Sequence, residues 1–265
     1  MQVEGNILKM KTENKVPVQY HLPLGNAVIN MNDFIGKVLK LEFTGQINCI
    51  SCGKPTKISY SQGFCFNCVQ TSPEASESII RPELSKAEFG VARDMEWARK
   101  HDLIEHVVYL AASPQLKVGV TRIHQVPVRW IDQGASRALV IARMPNRHIA
   151  GIMEVWLKQF FADKTNWREM LQNSDSEIDL YGEREKALGL LTPELKKYAV
   201  AGENIVSIEY PVSAYPEKVS AASFDKSSVI EGVLTGIKGQ YLIFEDSTVV
   251  NIRKHNGYYI RISGE

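Results

Sequence analysis

Four cysteines within a stretch of twenty residues constrain this chain more than any other feature of its sequence. They form two Cys-x-x-Cys pairs with twelve residues between the pairs: Cys49 with Cys52, and Cys65 with Cys68. Each pair can turn two thiolates toward one point, and four sulfurs in a tetrahedron are the ligand set that structural zinc prefers. The spacing therefore predicts a zinc ribbon with no open coordination position for catalysis. A redox pair and an iron–sulfur cluster are the alternatives that spacing leaves open.

The cysteines also bear on the compartment in which the chain works. None of them is left over for a disulfide elsewhere, which favours a reducing cytoplasm. The 265 residues are 44% hydrophobic and 23% charged, and these fractions suit a soluble globular protein of one or two domains. No apolar run reaches the roughly 18 residues that cross a bilayer, and the first residues show no export signal. We therefore expect a cytoplasmic protein without membrane contact.

Two β-rich segments bracket an αβ centre, which predicts an α+β fold. Apolar and polar positions alternate near both ends of the chain with the period of strands. Because sheets avoid open edges, the two ends are predicted to complete one small barrel. The expected order is an N-terminal β segment, the zinc ribbon, a central domain with a small mixed sheet and helices, a helical segment, and a C-terminal barrel-like module. Their predicted bounds are 1–48, 49–72, 82–175, 176–202 and 203–265.

Local signals predict individual elements within the centre. Two apolar runs flank the turn-prone Ser113-Pro114-Gln115, which indicates a hairpin over HVVYLAASPQLKVGVTR, residues 106–122, and a further strand is predicted at RALVIARM. A helix is expected over PELSKAEFGVARDMEWARKHD, because Pro82 suits a first helical position. The stretch NRHIAGIMEVWLKQFFAD predicts an amphipathic helix with Asn146 as its cap.

Charge is distributed unevenly, although the whole chain has a formal net charge of only +1. Residues 111–150 hold six cations and one acid, and five of the cations are arginines, which suit bidentate phosphate contact. Residues 174–209 hold eight acids and four bases. The basic centre predicts binding of nucleic acid, either DNA or RNA, and a solvated mixed surface is the alternative. The residues expected to contact nucleic acid are Arg122, His124, Arg137 and Arg147.

The order of residues in the centre resembles the motif of the GIY-YIG nuclease superfamily. Val107-Val108-Tyr109 matches the first strand of the motif with its tyrosine kept, and Lys117-Val118-Gly119 matches the second with its glycine kept and its tyrosine replaced. Later positions match the superfamily's arginine, glutamate and asparagine: Arg129, Glu154 and Asn166. This similarity covers roughly residues 104–172. Together with the upstream cysteines, the chain resembles a group of uncharacterised bacterial and archaeal zinc-ribbon proteins.

The resemblance implies a metal-dependent phosphodiesterase site. Tyr109 would orient or deprotonate water if a nearby cation favoured its phenolate, Arg129 would hold the phosphate, and Glu154 would bind one Mg²⁺ that keeps most of its waters. Lys117 would stabilise the phenolate or bind phosphate. The missing tyrosine, and Val107 in place of the motif's first glycine, make a degenerate site the second expectation.

A non-catalytic scaffold is the rival function. In that case the chain would be a protein-interaction or ribosome-associated scaffold with structural zinc. The acidic helices from Ser174 onward, or the C-terminal β module, would contact the protein partner. Tyr109 would then be an aromatic residue at the end of a strand, and Arg129 with Glu154 would form a structural ion pair.

Overall fold

The computed structural model describes residues 2–162, 166–173 and 177–264, which form a mixed α+β fold of sheets with helices, as predicted. They divide into two units. Unit 1 contains Met1–Gln70, Leu171–Asn173 and Ile208–Glu265, and unit 2 contains Thr71–Met170 and Ser174–Ser207. The predicted boundary between residues 175 and 176 lies outside the described residues. Within the described ranges, no helix is both long and apolar enough to span a bilayer.

Short strands dominate unit 1, and helices are concentrated in unit 2. The strands in chain order are β1 (Gln2–Asn6), β2 (Lys11–Glu13), β3 (Gln19–Leu24), β4 (Ala27–Asn30), β5 (Val38–Asn48), β6 (Pro55–Thr56), β7 (His106–Ser113), β8 (Gln115–Arg122), β9 (Arg137–Met144), β10 (Val206–Ser207), β11 (Ser220–Ala222), β12 (Val229–Lys238), β13 (Tyr241–Phe244), β14 (Thr248–Asn251) and β15 (Tyr258–Gly264). The helices are α1 (Phe66–Thr71), α2 (Met95–His101), α3 (Val128–Asp132), α4 (Arg147–Leu157), α5 (Trp167–Leu171), α6 (Leu180–Gly189) and α7 (Pro193–Lys196).

In unit 1, the N-terminal and C-terminal β segments share one sheet. Its strands are hydrogen-bonded in the order β1, β15, β5, β12, β13, β14, β11, and β6 pairs with the end of β5. The long strand β12 extends this sheet, because its first half pairs with β5 and its second half pairs with β13 after a register shift between Leu234 and Gly236. Strand β5 therefore lies between two strands from the C-terminal part of the chain.

The predicted small barrel is wrong, because the described strands do not close into one. The outermost strand β1 pairs with β15, and at the other edge β11 pairs in parallel with β14. Part of the N-terminal segment forms a separate three-stranded sheet, β2-β3-β4, instead of extending the larger sheet. Alternation of apolar residues identifies the buried face of a strand but not the strand next to it. The sequence pattern therefore could not show whether the sheet closes into a barrel.

Unit 2 is built on a four-stranded sheet in the order β10, β9, β7, β8. The predicted hairpin is confirmed, since β7 and β8 pair antiparallel from His106 opposite Arg122 to Ser113 opposite Gln115. The strand predicted from RALVIARM is β9, which pairs antiparallel with the other edge of β7. Among the described residues, the parallel component of the predicted mixed sheet is a single bridge between Lys117 and Ala162.

Helix α4 covers one face of this sheet. Asn146 caps the helix as predicted, and its Oδ1 accepts a hydrogen bond from Ile149 N at 3.0 Å. The shared core contains side chains from both elements: Ala150, Met153 and Leu157 from the helix, and Val108, Leu110 and Val118 from the hairpin. Because successive side chains point to opposite faces of a strand, Tyr109, Lys117 and Gly119 face away from this core.

The long helix predicted from Pro82 is wrong over its first half. Pro82–Leu84 and Ala87–Phe89 form two 3₁₀ turns, and the α-helix begins only at Met95. Asp94 sets this start, because its side chain accepts a hydrogen bond from Trp97 N at 2.9 Å and so satisfies a free N–H group of the first turn. Asp94 was visible in the sequence as a possible cap. The residues before it favour helix, so the helix was expected to begin earlier.

Candidate functional site

The four cysteines lie together in unit 1. Their sulfur atoms are all within 4.8 Å of one another, and the Sγ atoms of Cys52 and Cys65 are 4.0 Å apart. A tetrahedral zinc ion with Zn–S bonds of about 2.3 Å requires about 3.8 Å between sulfurs. The four thiols are therefore arranged to hold one metal ion such as zinc.

The two cysteine pairs come from different local structures. Cys49 and Cys52 occupy the turn between β5 and β6, where Cys49 N donates a hydrogen bond to Lys54 O at 2.9 Å. Cys68 lies within α1, and Cys65 directly precedes that helix. The second pair therefore leads into a helix, and the specific fold of a zinc ribbon stays a prediction.

Ionisation of the thiols also favours a bound cation. Burial opposes ionisation of Cys49, but the backbone N–H groups of Cys52, Cys65 and Ser51 outweigh burial and lower the pKa of Cys49 to about 6. A hydrogen bond with Cys65, followed by burial, raises the pKa of Cys68 to about 12. Contact with the other sulfurs thus suppresses ionisation of the Cys68 thiol. A cation between the four sulfurs would favour loss of this proton.

In unit 2, Tyr109 lies at the centre of a second candidate site. Its side chain is 1% exposed, and its hydroxyl donates a hydrogen bond to Gln133 Oε1 at 2.9 Å. The tyrosine ring lies across Gly119 on the neighbouring strand, where a Cβ atom would be 2.6 Å from the hydroxyl oxygen. Position 119 therefore requires glycine, because the side chain of any larger residue would displace the phenol of Tyr109.

We expect Gly119→Ala to lower the free energy of unfolding of unit 2 by about 1–3 kcal/mol, the usual cost of forcing atoms into a packed core. Gly189→Ala is the matched control, because no atom lies within 4 Å of a Cβ at that helical position and alanine favours helix. Its unfolding free energy should stay the same or rise. Chemical denaturation measures both changes. Equal stability of the two variants would show that the ring does not lie over Gly119 in solution.

Arg129 connects the charged groups of this site. Its guanidinium lies close enough to Tyr109 to lower the pKa of the phenol against the effect of burial. Its charge acts on four further groups: Lys117, Arg122, Arg147 and Glu154. Lys117 is 3% exposed and Glu154 is 8% exposed, whereas Arg129 is only half-buried. The phenol, the ammonium and the carboxylate thus each lie within electrostatic reach of the Arg129 guanidinium, which is the most accessible to solvent of these four groups.

Burial sets the protonation of these groups. It raises the pKa of Tyr109 to about 12, although Arg129 acts in the opposite direction, so the phenol stays protonated at neutral pH. Burial, followed by the charge of Arg129, lowers the pKa of Lys117 to about 7. A neutral amine is therefore available near pH 7. The phenolate considered from the sequence is not the resting form of Tyr109, and the group able to accept a proton is Lys117.

Glu154 has a second carboxylate beside it. Burial raises the pKa of Glu154, Lys158 at 3.3 Å opposes this change, and the charge of Glu83 adds to it. Glu83 lies in a 3₁₀ turn packed against α4 at Gly151, where a Cβ would overlap the Glu83 backbone nitrogen. Glu83 Oε2 is buried and has no hydrogen-bond partner among the described residues. No local sequence signal indicated this neighbour, because the segment was expected to be helical.

The four predicted nucleic-acid contacts do not share one surface. Arg122 is half-buried near Arg129, and His124 beside it is exposed. Arg137 pairs with Ala112 at one end of β7, whereas Arg122 pairs with His106 at the other end. Six residues of strand correspond to roughly 20 Å. Arg137 is therefore remote from the charged cluster along the sheet.

Arg147 and Asn166 have structural contacts of their own. Arg147 is buried, and its guanidinium donates to Ser78 O at 2.7 Å and to Ile79 O at 2.9 Å. The charge of Arg147 therefore acts on neighbouring groups inside the fold and is not presented at the surface. Asn166 is exposed, and its Oδ1 accepts a hydrogen bond from Arg168 N at 3.2 Å at the start of α5. In the described part of the chain, no contact joins Asn166 to the cluster around Arg129.

The comparisons with known proteins identify a family but no function. The family model described as "Protein of unknown function (DUF2797)" matches residues 36–260, a range that contains the four cysteines and the cluster around Arg129. No curated protein and no solved structure matches the chain. The resemblance to GIY-YIG nucleases stays a prediction from the sequence motif. Because the family model covers most of its length, the chain belongs to the DUF2797 family.

Proposed function

We propose that unit 2 binds nucleic acid and cleaves phosphodiester bonds at the face of the β7–β8 hairpin that carries Tyr109. The observation that supports this proposal is the convergence of Tyr109, Lys117 and Glu154 on Arg129. Hydrolysis of a phosphodiester needs a proton acceptor for water, positive charge near the non-bridging oxygens and a proton donor for the leaving oxygen. The cluster contains a group suited to each task.

Each of these groups has one role in the proposal. Arg129, the accessible cation, binds the phosphate, and Arg122 lies beside it. The neutral amine of Lys117 accepts a proton from the water that attacks phosphorus. The phenol of Tyr109 donates its proton to the leaving oxygen, which suits a group that is protonated at neutral pH. In this proposal Lys117 takes the role of base that the resemblance implied for Tyr109.

A divalent cation fits beside Glu154. Mg²⁺ is held by one or two carboxylates and keeps several of its waters. Glu154 and Glu83 supply two neighbouring carboxylates, and Glu83 Oε2 accepts no hydrogen bond among the described residues. An ion bound there would polarise the phosphate. An all-oxygen donor set suits Mg²⁺ better than a thiophilic metal.

For the four cysteines of unit 1 we propose one structural zinc ion. Four thiolates complete a tetrahedral shell and leave no position for a reacting water. The ion would connect the β5–β6 turn to α1, two pieces with few apolar side chains of their own to bury. Its role in this proposal is therefore to stabilise the fold of unit 1, not to take part in cleavage.

Binding and cleavage can be measured separately. Fluorescence anisotropy with labelled single- and double-stranded DNA and RNA should show affinity that falls with salt, with a log–log slope of about −2 to −3 for two or three phosphate contacts. With Mg²⁺, the wild-type protein should shorten at least one of these oligonucleotides. Glu154→Gln should retain binding and reduce cleavage by about 100-fold or more.

Glu185→Gln is the matched control, because Glu185 is an exposed acid of α6 in the same unit. It should bind and cleave like the wild type. A flat salt response would contradict the basic surface around Arg129, and cleavage that survives Glu154→Gln would remove Glu154 from the mechanism. Salt-dependent binding without cleavage by the wild type would favour a non-catalytic binding protein.

A further inference from the structure

A cavity in unit 2 lies outside the residues with proposed catalytic roles. Its volume is about 210 Å³, and it is formed by the 3₁₀ turns that precede α2 together with α2 and Asp102. Pockets for drug-sized ligands begin at about 300 Å³, so this cavity suits a smaller group, of the size of a single heterocyclic base. Its lining combines apolar walls with polar groups, among them Pro73, Leu84, Trp97, Ser76, Ser85 and Asp102.

Asp102 provides an acceptor without a hydrogen-bond donor. Its side chain is only 5% exposed, and its Oδ2 accepts a hydrogen bond from Ser85 Oγ at 3.0 Å. Its Oδ1 is buried and has no hydrogen-bond partner among the described residues. Arg147 Nε lies 3.8 Å from Oδ1, which is beyond hydrogen-bonding distance, and donates to Ser78 O instead. A ligand with an N–H group would supply the missing donor.

We propose that this cavity takes one unpaired nucleobase with an exocyclic amino group, namely adenine, cytosine or guanine. The inference rests on the proposed function and names its substrate class: single-stranded or locally unpaired nucleic acid. The amino group would donate to Asp102 Oδ1, and the faces of the base would pack between Trp97 and the apolar wall, as in enzymes that extrude a base from the duplex. Uracil and thymine fit poorly, because their one ring N–H lies between two carbonyl oxygens that the carboxylate would repel.

The cavity is electrostatically connected to the proposed catalytic cluster. Arg147 forms an ion pair with Asp102, and its charge also reaches Arg129 and Glu154. Arg122 likewise acts between Asp102 and Arg129. If one phosphate of a bound nucleic-acid strand lies at Arg129, a neighbouring base of that strand would therefore be able to reach the cavity. Lys86, an exposed cation on the lining of the cavity, would contact the phosphate of that nucleotide. Arg93 also lines the cavity, and its Nη1 donates a hydrogen bond to Ser72 O at 2.8 Å.

Ribonucleoside monophosphates test the cavity without any need for cleavage. Isothermal titration of the full chain with AMP, CMP, GMP and UMP should show binding of the first three and about tenfold weaker binding of UMP, since one hydrogen bond to a charged acceptor is lost. Asp102→Asn keeps the size of the side chain and replaces one acceptor by a donor. This variant should bind AMP, CMP and GMP more weakly than the wild type and should discriminate less against UMP. Equal binding of all four nucleotides by the wild type would overturn the proposal.

A second variant covers the case in which Asp102→Asn does not fold. Ala92 is exposed and lines the cavity, so Ala92→Trp should fill it and abolish nucleotide binding without disturbing the core. Ala201→Trp, at an exposed position of unit 2 away from the cavity, should bind like the wild type. Unchanged binding by Ala92→Trp would also overturn the proposal. If the wild type cleaves oligonucleotides but does not discriminate UMP, the cavity assignment alone fails; if it discriminates UMP but neither binds nor cleaves oligonucleotides, the proposed function alone fails.

Discussion

Cys49→Ser is expected to remove the metal from unit 1 and to unfold the segment from the end of β5 to α1. Cys49 is 2% exposed and has the thiol whose pKa is lowered to about 6, so its loss removes the ligand most ready to bind as thiolate. A structural zinc site contributes about 10–16 kcal/mol in small zinc-binding peptides, as much as the whole stability of many domains. The loss of one ligand of four should therefore lower the melting temperature sharply.

The effect should extend beyond the cysteines. Asn48 N donates to Gly257 O at 2.8 Å, and Ile50 N donates to Gly63 O at 2.9 Å, so the two residues that flank Cys49 are bonded to different parts of unit 1. Elemental analysis should find about one zinc per chain in the wild type and in Lys57→Ala, an exposed control between the two cysteine pairs. Cys49→Ser should contain little metal. A full equivalent of zinc with an unchanged melting temperature would contradict the assignment.

Lys117→Met is expected to reduce cleavage by about 100-fold or more and, at the same time, to stabilise unit 2 below pH 7. The catalytic loss follows from removing the proton acceptor. The gain in stability follows from burial, because the pKa of Lys117 is lowered from its ordinary value of 10.5 to about 7. Below pH 7 the lysine is protonated in both folded and unfolded chains, and folding buries its charge at a cost on the order of 5 kcal/mol. Methionine removes this cost.

The lowered pKa of Lys117 also predicts how the stability of the wild type changes with pH. Between about pH 7 and 10.5 the unfolded chain binds a proton at Lys117 that the folded chain does not, so the stability of the wild type should rise with pH in this window. Urea denaturation of Lys117→Met should lack this rise. Cleavage by the wild type should increase as pH passes through about 7. Arg129 is the other charged group that acts on this lysine.

Lys117→Arg separates the base from the positive charge. Arginine retains a cation at this position but does not release its proton in this pH range, so the variant should bind oligonucleotides and fail to cleave them. Cleavage by Lys117→Arg at the wild-type rate, or a pH profile that is flat around 7, would contradict the role of Lys117 as base. Binding measured by anisotropy on the same protein preparations shows whether the variant is folded.

Local signals in the sequence predicted the elements that carry the candidate sites. The hairpin of β7 and β8, the strand β9 and the cap of α4 at Asn146 all follow from residues next to one another in the chain. The cysteine quartet is of the same kind, because its spacing alone brings four sulfurs together. For these elements a short stretch contains the whole signal, whereas the helix expected from Pro82 begins only at Met95.

The parts that sequence reasoning missed depend on tertiary contacts. Glu83, Asp102 and Gln133 contact or act on the predicted residues, but nothing in the local pattern indicates it. Burial raises the pKa of Tyr109 and lowers the pKa of Lys117, which is why the proposal gives the role of base to the amine and not to the phenol. The open edges of the larger sheet likewise depend on which strands become neighbours. These contacts, protonation states and strand pairings form only when distant segments of the chain meet. Local patterns in a single sequence do not show which distant segments will meet.

The position of β5 has a consequence for how the chain is made. Both neighbours of this strand, β12 and β15, come from the last part of the chain. A ribosome therefore releases β5 long before the strands that satisfy its backbone groups, whereas β7, β8 and β9 are close together in the chain and can pair soon after they emerge. During synthesis the nascent N-terminal strands have to be kept from pairing with those of another chain, and a truncated product without β12 would retain an exposed, aggregation-prone edge.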